Sequence, residues 1–175
     1  ILDKMFISQT GSIPNDSTEY DLYLEAESAR VGSEWSVLES SKASNNQYIV
    51  SDKAQNKSNA PTDTSKITIF NFQALAGNYK VWIRMRHPDD GDDDSFWLRM
   101  NDGLWMKWND IAEDENNTDF HWDVCIYKLA LLPGTNTLEI GIRENGAELD
   151  MIYLSNSGKI PEVPPTSVDK KNFKY

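Results

Sequence analysis

Cysteine and histidine are scarce in this chain, which has one cysteine, Cys125, and two histidines, His87 and His121, among 175 residues. A lone cysteine excludes an intrachain disulfide and a thiolate metal cluster. Its place in the strand-like run Val124-Cys125-Ile126 reads as a small buried apolar residue. Two histidines exclude a multi-histidine zinc site, so a bound metal is expected to be held by oxygen, as calcium and magnesium are. Long apolar runs are lacking too: none approaches the roughly 20 residues that cross a bilayer, and no membrane insertion is expected. Positive charge is in deficit, with 17 Lys and Arg against 28 Asp and Glu and a net charge of −11. A surface of that sign repels phosphate backbones and draws in cations, which argues against nucleic acid as a partner. No nucleophile elbow, phosphate-cradling glycine loop or metal-hydrolase helix is found. With so many acids, some pair always meets the roughly 5–10 Å spacing of glycoside hydrolysis, and nothing singles one out. The chain is expected not to be an enzyme.

What is present is a series of short strand-like runs separated by turn chemistry, with no long amphipathic helix. Residues 22–27, 47–50, 66–72, 78–86, 95–100, 104–108, 121–131, 136–143 and 149–154 alternate or carry β-branched and aromatic side chains. Nine such runs predict an all-β, mostly antiparallel β-sandwich. Asn101-Asp102-Gly103 supplies left-handed-tolerant residues for a tight turn, and Ala76-Gly77-Asn78 and Pro133-Gly134-Thr135 punctuate two strand entries. The polar stretches 51–65 and 110–119 are expected to be exposed loops.

One internal repeat is visible. Leu2, Asp3, Ser8, Gly11, Ile13 and Pro14 match Leu149, Asp150, Ser155, Gly158, Ile160 and Pro161 in an ungapped alignment of 2–14 on 149–161. Residues 1–16 thus resemble the closing strand of a preceding tandem copy, 17–160 form the sandwich, and the proline-bearing 161–175 reads as an extended tail. A spare copy of one strand also suits self-association by strand addition into a neighbour, as in an extracellular filament or adhesive repeat.

Glu25 and Glu27 lie two apart on a predicted strand, so both carboxylates face one way and need a cation or good donors. The acidic run Asp89–Asp94 has oxygen density for a second cation, although a solvated loop explains it as well. Six tryptophans and seven tyrosines exceed what a core requires. Trp82 and Trp97 sit among apolar neighbours and are expected in the core. Trp35, Trp105, Trp108 and Trp122 lie nearer turns and polar residues, and suit a sugar platform, since the C–H face of a pyranose stacks on an aromatic ring.

From Tyr23 to Pro161 the sequence resembles carbohydrate-binding modules of the family 6 and family 35 type, particularly copies attached to marine-polysaccharide hydrolases and lyases. The likeness rests on Leu24-Glu25-Ala26-Glu27-Ser28, Ala76-Gly77-Asn78-Tyr79-Lys80-Val81-Trp82-Ile83-Arg84, Asp93-Asp94-Ser95-Phe96-Trp97-Leu98-Arg99, and Arg143-Glu144-Asn145-Gly146 leading into Leu149-Asp150. The resemblance implies a galactose-binding-like jelly roll that is secreted or at the cell surface, any signal peptide already removed, and that binds a polysaccharide or oligosaccharide without catalysis. It further implies a structural Ca²⁺ ligated by Glu25, Glu27 and Asp150. The sugar is expected in a cleft between two aromatic residues, with Trp122 beginning a late strand, Tyr48 or Trp35 as its partner, Trp105 as a further platform and Asn145 as a hydrogen-bonding residue.

Overall fold

A computed structural model of the chain describes residues 19–51, 58–87, 95–109 and 119–162. The terminal repeat 2–14, the acidic run Asp89–Asp94 and the tail beyond Glu162 lie outside the described residues. Ten strands are present: β1 (Asp21–Glu25), β2 (Ser36–Glu39), β3 (Gln47–Val50), β4 (Ile67–Ala74), β5 (Gly77–Arg86), β6 (Phe96–Met100), β7 (Met106–Trp108), β8 (His121–Leu131), β9 (Gly134–Ile142) and β10 (Glu148–Ser155). Three short 3-10 turns are the only helical segments among the described residues, and none of them is long or apolar enough to cross a membrane.

The strands form two sheets, and every strand pairing is antiparallel. The larger sheet runs β2-β3-β10-β5-β8, with β1 also paired to β10, and the smaller runs β4-β9-β6-β7. All nine strand-like runs are therefore strands, and the architecture is the antiparallel β-sandwich expected. β2 is the one strand the sequence reading missed. It is a short edge strand with three exposed residues out of four, so it carries no buried face to impose alternation.

The core lies between the sheets and is filled by one face of each strand. β5 contributes Tyr79, Val81, Ile83 and Met85, β6 Phe96 and Leu98, β9 Leu138, Ile140 and Ile142, and β10 Leu149, Ile152 and Leu154. Period-two alternation sends the intervening residues outward. Trp82 shares its parity with Lys80, Arg84 and Arg86, and Trp97 shares its parity with Arg99, so both rings are only partly buried on outer faces. The expectation that these two tryptophans are core is corrected, and the charged residues of the same parity were the available signal. Trp35 and Trp108 have the opposite fate, buried to 5% and 2% exposure within the core cluster.

Turn chemistry holds where it was read. Asn101 and Asp102 both adopt positive φ, 49° and 56°, and the Gly103 N–H closes the turn on the Met100 carbonyl at 2.9 Å. The Asn101 side chain then ties this turn to β9, accepting from the Thr137 N–H at 2.8 Å and donating to Asn136 Oδ1 at 2.8 Å. Pro161 is buried and the Glu162 carbonyl accepts from Trp122 Nε1 at 3.1 Å. The first two residues of the expected tail are thus laid against the larger sheet.

Cys125 is buried in the core as expected, and that burial pushes its thiol up to about 11. Only about one thiol in a thousand is then ionised at pH 8. A disulfide reagent at that pH should leave the native protein unlabelled and label the urea-unfolded chain, and rapid native labelling would contradict this packing.

Candidate functional site

A buried, charged corner of the sandwich forms where β10 changes partners. Along one edge β10 pairs with β3 at Glu148 and Leu149 and with β1 from Met151 onward. Asp150 falls in the gap. Against β5 it is also the unpaired residue of a register shift, since Leu149 faces Met85 and Met151 faces Arg84. A bulge of this kind turns a side chain away from its regular direction, and here it delivers a fully buried carboxylate to the corner.

The residues around Asp150 come from three separate segments. Its Oδ1 accepts from the Ser44 N–H at 2.9 Å, and its Oδ2 accepts from Arg84 Nη1. Arg84 Nη2 donates to the Lys42 carbonyl at 3.2 Å. Ser44 Oγ donates to Glu25 Oε1 at 2.9 Å, and Asn45 Nδ2 donates to Glu27 Oε1 at 2.8 Å. The Ser44–Asn46 turn can bend this sharply because Asn45 and Asn46 sit at φ 54° and 59°, a region asparagine tolerates better than most residues. Sequence reasoning missed Ser44, Asn45 and Arg84. The adjacent asparagine pair before a strand was the one local sign of a tight turn there.

Glu25, Glu27 and Asp150 are linked to one another through the Ser44–Asn45 turn. β1 ends at Glu25, and Glu27 lies in the 3-10 turn Ala26–Ser28. The two glutamates therefore are not alternating residues of one strand, and the turn takes over because β10 hands its edge to β3 beyond this point. Burial, resisted by Arg84 and the Ser44 N–H and reinforced by the charge on Glu25, pushes the Asp150 carboxyl up to about 7. Glu27 Oε2 is buried without a hydrogen-bond partner among the described residues. The donor set, carboxylates and backbone carbonyls, is the hard-oxygen chemistry that calcium takes. Among the described residues, however, no group of three or more Asp, Glu, His or Cys side chains is arranged so that it could hold a metal ion, and Arg84 occupies one oxygen of Asp150.

The residues expected to bind sugar are dispersed. Trp35 stacks on Phe96 in the core, ring centroids 6.2 Å apart and 18° between planes. At 5% exposure it offers no face to a ligand, because the sandwich interior has claimed the ring. Tyr48, also buried, packs edge-on against Phe120 at 5.5 Å. The Arg86 guanidinium lies over both rings, 5.1 Å from Tyr48 and 4.5 Å from Phe120, and pairs with Glu148. The partner of Tyr48 is thus Phe120 rather than Trp122, and Arg86 packs over both rings of that pair.

Trp122 instead lies on the outer face of the larger sheet, 6.2 Å from Tyr23 and 6.3 Å from Tyr153. Tyr23 and Tyr153 are cross-strand partners with centroids 4.5 Å apart. Trp105 belongs to the smaller sheet's side, beneath Arg99 at 4.6 Å, where Arg99 also grips the buried Glu139 through two nitrogens. Asn145 is in the loop before β10, its Oδ1 buried without a hydrogen-bond partner among the described residues. Next to it Arg143 Nη1 donates to Ser95 Oγ, Asn109 Oδ1 and Glu144 Oε1. A shallow hollow between residues 30–33 and 63–67 includes none of these aromatics.

No protein-family model matches the sequence, and no curated protein does. The fold has solved counterparts. A family 35 carbohydrate binding module from Clostridium thermocellum superposes with a TM-score of 0.57 at 16% identity, covering 77% of this chain and 98% of that one. The CBM35 from Paenibacillus barcinonensis gives 0.58 at 17% identity over 76% and 97%. An exo-β-1,3-galactanase from Phanerochaete chrysosporium, solved with galactose, gives 0.60 at 17% identity over 77% of this chain and 29% of that one. The chain thus spans nearly the whole of the isolated modules and under a third of the enzyme. At these identities the likeness establishes architecture: the β-sandwich is the one family 35 modules use.

Removing one member of a buried ion pair strands the other, at a cost of about 3–5 kcal/mol. Arg84→Ala should therefore lose about that much in urea unfolding, and Asp150→Asn added to it should recover part. A loss below about 1 kcal/mol, as for an exposed pair, would mean that Asp150 does not depend on Arg84.

Proposed function

We propose that this chain is a secreted, non-catalytic carbohydrate-binding module that recognises a polysaccharide or oligosaccharide and is stabilised by calcium. The observation that carries this reading is the sandwich itself, matched over almost the full length of modules whose whole chain is a family 35 carbohydrate-binding domain. With a net charge of −11, a neutral or weakly charged glycan suits it better than a sulfated one. Affinity comes from ring stacking and selectivity from polar groups at the rim.

Trp122 is the platform this reading favours among the expected residues. It is partly exposed, its indole N–H is anchored on the Glu162 carbonyl, and Tyr23 stands beside it. An orientation held by a hydrogen bond lowers the entropy lost on stacking a sugar. Isothermal titration against a glycan panel should give heat with at least one polysaccharide. Trp122→Ala should then weaken that binding tenfold or more, about 1.4 kcal/mol. No heat with any glycan, or binding indifferent to Trp122, removes this assignment.

In this reading calcium is taken up near Glu25, Glu27 and Asp150, where Glu27 Oε2, buried and without a partner among the described residues, and the excess of carboxylates over Arg84 favour a cation. When bound, it would supply positive charge there and join the start of the fold to its last strand. The chain's own residues do the positioning, with Ser44 and Asn45 orienting the two glutamates and Arg84 holding Asp150. Calcium at about 100 times its dissociation constant adds about 2.7 kcal/mol, so chelation should lower the melting temperature by several degrees, and Glu27→Gln should abolish that response. A melting temperature indifferent to chelator leaves Arg84 as the counter-charge of the corner.

A further inference from the structure

β10 sends Ile152 and Leu154 into the core, so Tyr153 between them points outward. An outward side chain on a sheet surface is ordinarily open to solvent, yet Tyr153 is only 2% exposed. Tyr23 and Trp122 flank its ring, and the chain beyond β10 turns back to meet Trp122 on the same face. Hydrogen bonds build the reversal. Ser155 Oγ accepts from the Ser157 N–H at 3.2 Å, and Ser157 Oγ donates to Asp21 Oδ1 at 2.9 Å. Gly158 takes φ 80°, which suits a residue without a Cβ. Pro161 is then buried.

This strap, residues 156–162, ends in a two-sided grip on one peptide. The Glu162 carbonyl accepts from Trp122 Nε1 at 3.1 Å, and the Glu162 N–H donates to the Tyr23 hydroxyl. Both bonds use backbone atoms, so they place no demand on the side chain at 162, while the fixed φ of Pro161 directs the peptide. The internal repeat marks the same stretch. It runs past the strand end at Ser155 and carries Gly158 and Pro161 as Gly11 and Pro14, with Asn15 matching Glu162. The residues that shape the strap recur, and the one used only through its backbone does not. An indole has a single donor, so tying that donor to a held peptide fixes the rotation of the Trp122 ring.

We propose that the Glu162 peptide is the positioning group of the glycan site, setting the Trp122 ring through a strap held by Tyr23 and Pro161. The proposal rests on the reading of Trp122 as the sugar platform and adds a coupling between that platform and the segment that follows β10. Such a coupling is reciprocal: a held strap tightens glycan binding, and bound glycan tightens the strap. The outer tie is weak, since Lys159 and Glu19 are 58% and 63% exposed and an exposed pair adds little. The grip on the Glu162 peptide therefore carries the hold.

Two variants test it in the full chain. Tyr23→Phe keeps the ring and removes the acceptor of the Glu162 N–H, and Pro161→Gly keeps both aromatic rings and frees the strap. The readout is hydrogen exchange of the Trp122 indole N–H, its signal identified by its loss in Trp122→Phe. Slow exchange is expected in the unsubstituted chain, at least tenfold faster exchange in both variants, and no change at the core indoles of Trp35 and Trp108. In titrations with galactomannan, arabinoxylan and laminarin, any that binds should bind about two- to tenfold more weakly to both variants, the cost of immobilising one side chain afresh. Full glycan affinity in both variants, or a Trp122 exchange rate that neither variant changes, overturns the proposal. Absence of heat with all three polysaccharides counts against the sugar reading alone, and the exchange rates then decide whether the strap holds Trp122.

Discussion

The buried pairing of Asp150 with Arg84 is the constraint on which the arrangement of the larger sheet turns. Asp150 stands at the one point along β10 where neither β1 nor β3 is its neighbour, and at a bulge against β5. A buried carboxylate without partners is expensive, so the surrounding chain is organised to meet it. Arg84 reaches it from β5, the Ser44 N–H reaches it from the turn before β3, and the Lys42 carbonyl holds the other end of Arg84. One charged group thereby couples three segments that are distant in sequence.

That corner also explains why the opening strand is short. β1 lies on the same edge of β10 as β3, and two strands cannot occupy one edge at one level. β1 therefore yields at Glu25 to a 3-10 turn, which brings Glu27 to the corner beside Glu25. The cost is a concentration of negative charge facing one guanidinium. Calcium is the agent that would relieve it in the proposed reading, acting at the junction of the first and last strands.

The aromatic residues divide by the geometry of strands rather than by their neighbours in sequence. Trp35 and Phe96 fill the space between sheets, Tyr48 and Phe120 close around Arg86, and Trp122 joins Tyr23 and Tyr153 outside. A cleft lined by Tyr48 and Trp122 is not what this chain builds, because Arg86 and Glu148 occupy the ground beside Tyr48. Partly exposed aromatic rings lie on both sheets, Trp82 and Trp122 on the larger and Trp97 and Trp105 on the side of the smaller, with Glu162 crossing beside Trp122.

The sequence by itself determined the class of fold. Alternation along 78–86, 121–131 and 136–143, and the turn residues Asn101 and Asp102, are local properties, since a strand's two faces and a turn's positive φ are written in consecutive residues. Parity even marked Trp82 and Trp97 as outward, through the charged residues that share it. β2 was not legible because an exposed edge strand carries no pattern. Only the tertiary structure decided which aromatics meet, that Phe120 rather than Trp122 faces Tyr48, and that Asp150 falls in a bulge between two partner strands. Such relations depend on register between strands far apart in the chain, and register is set by how the two sheets bury their apolar faces together.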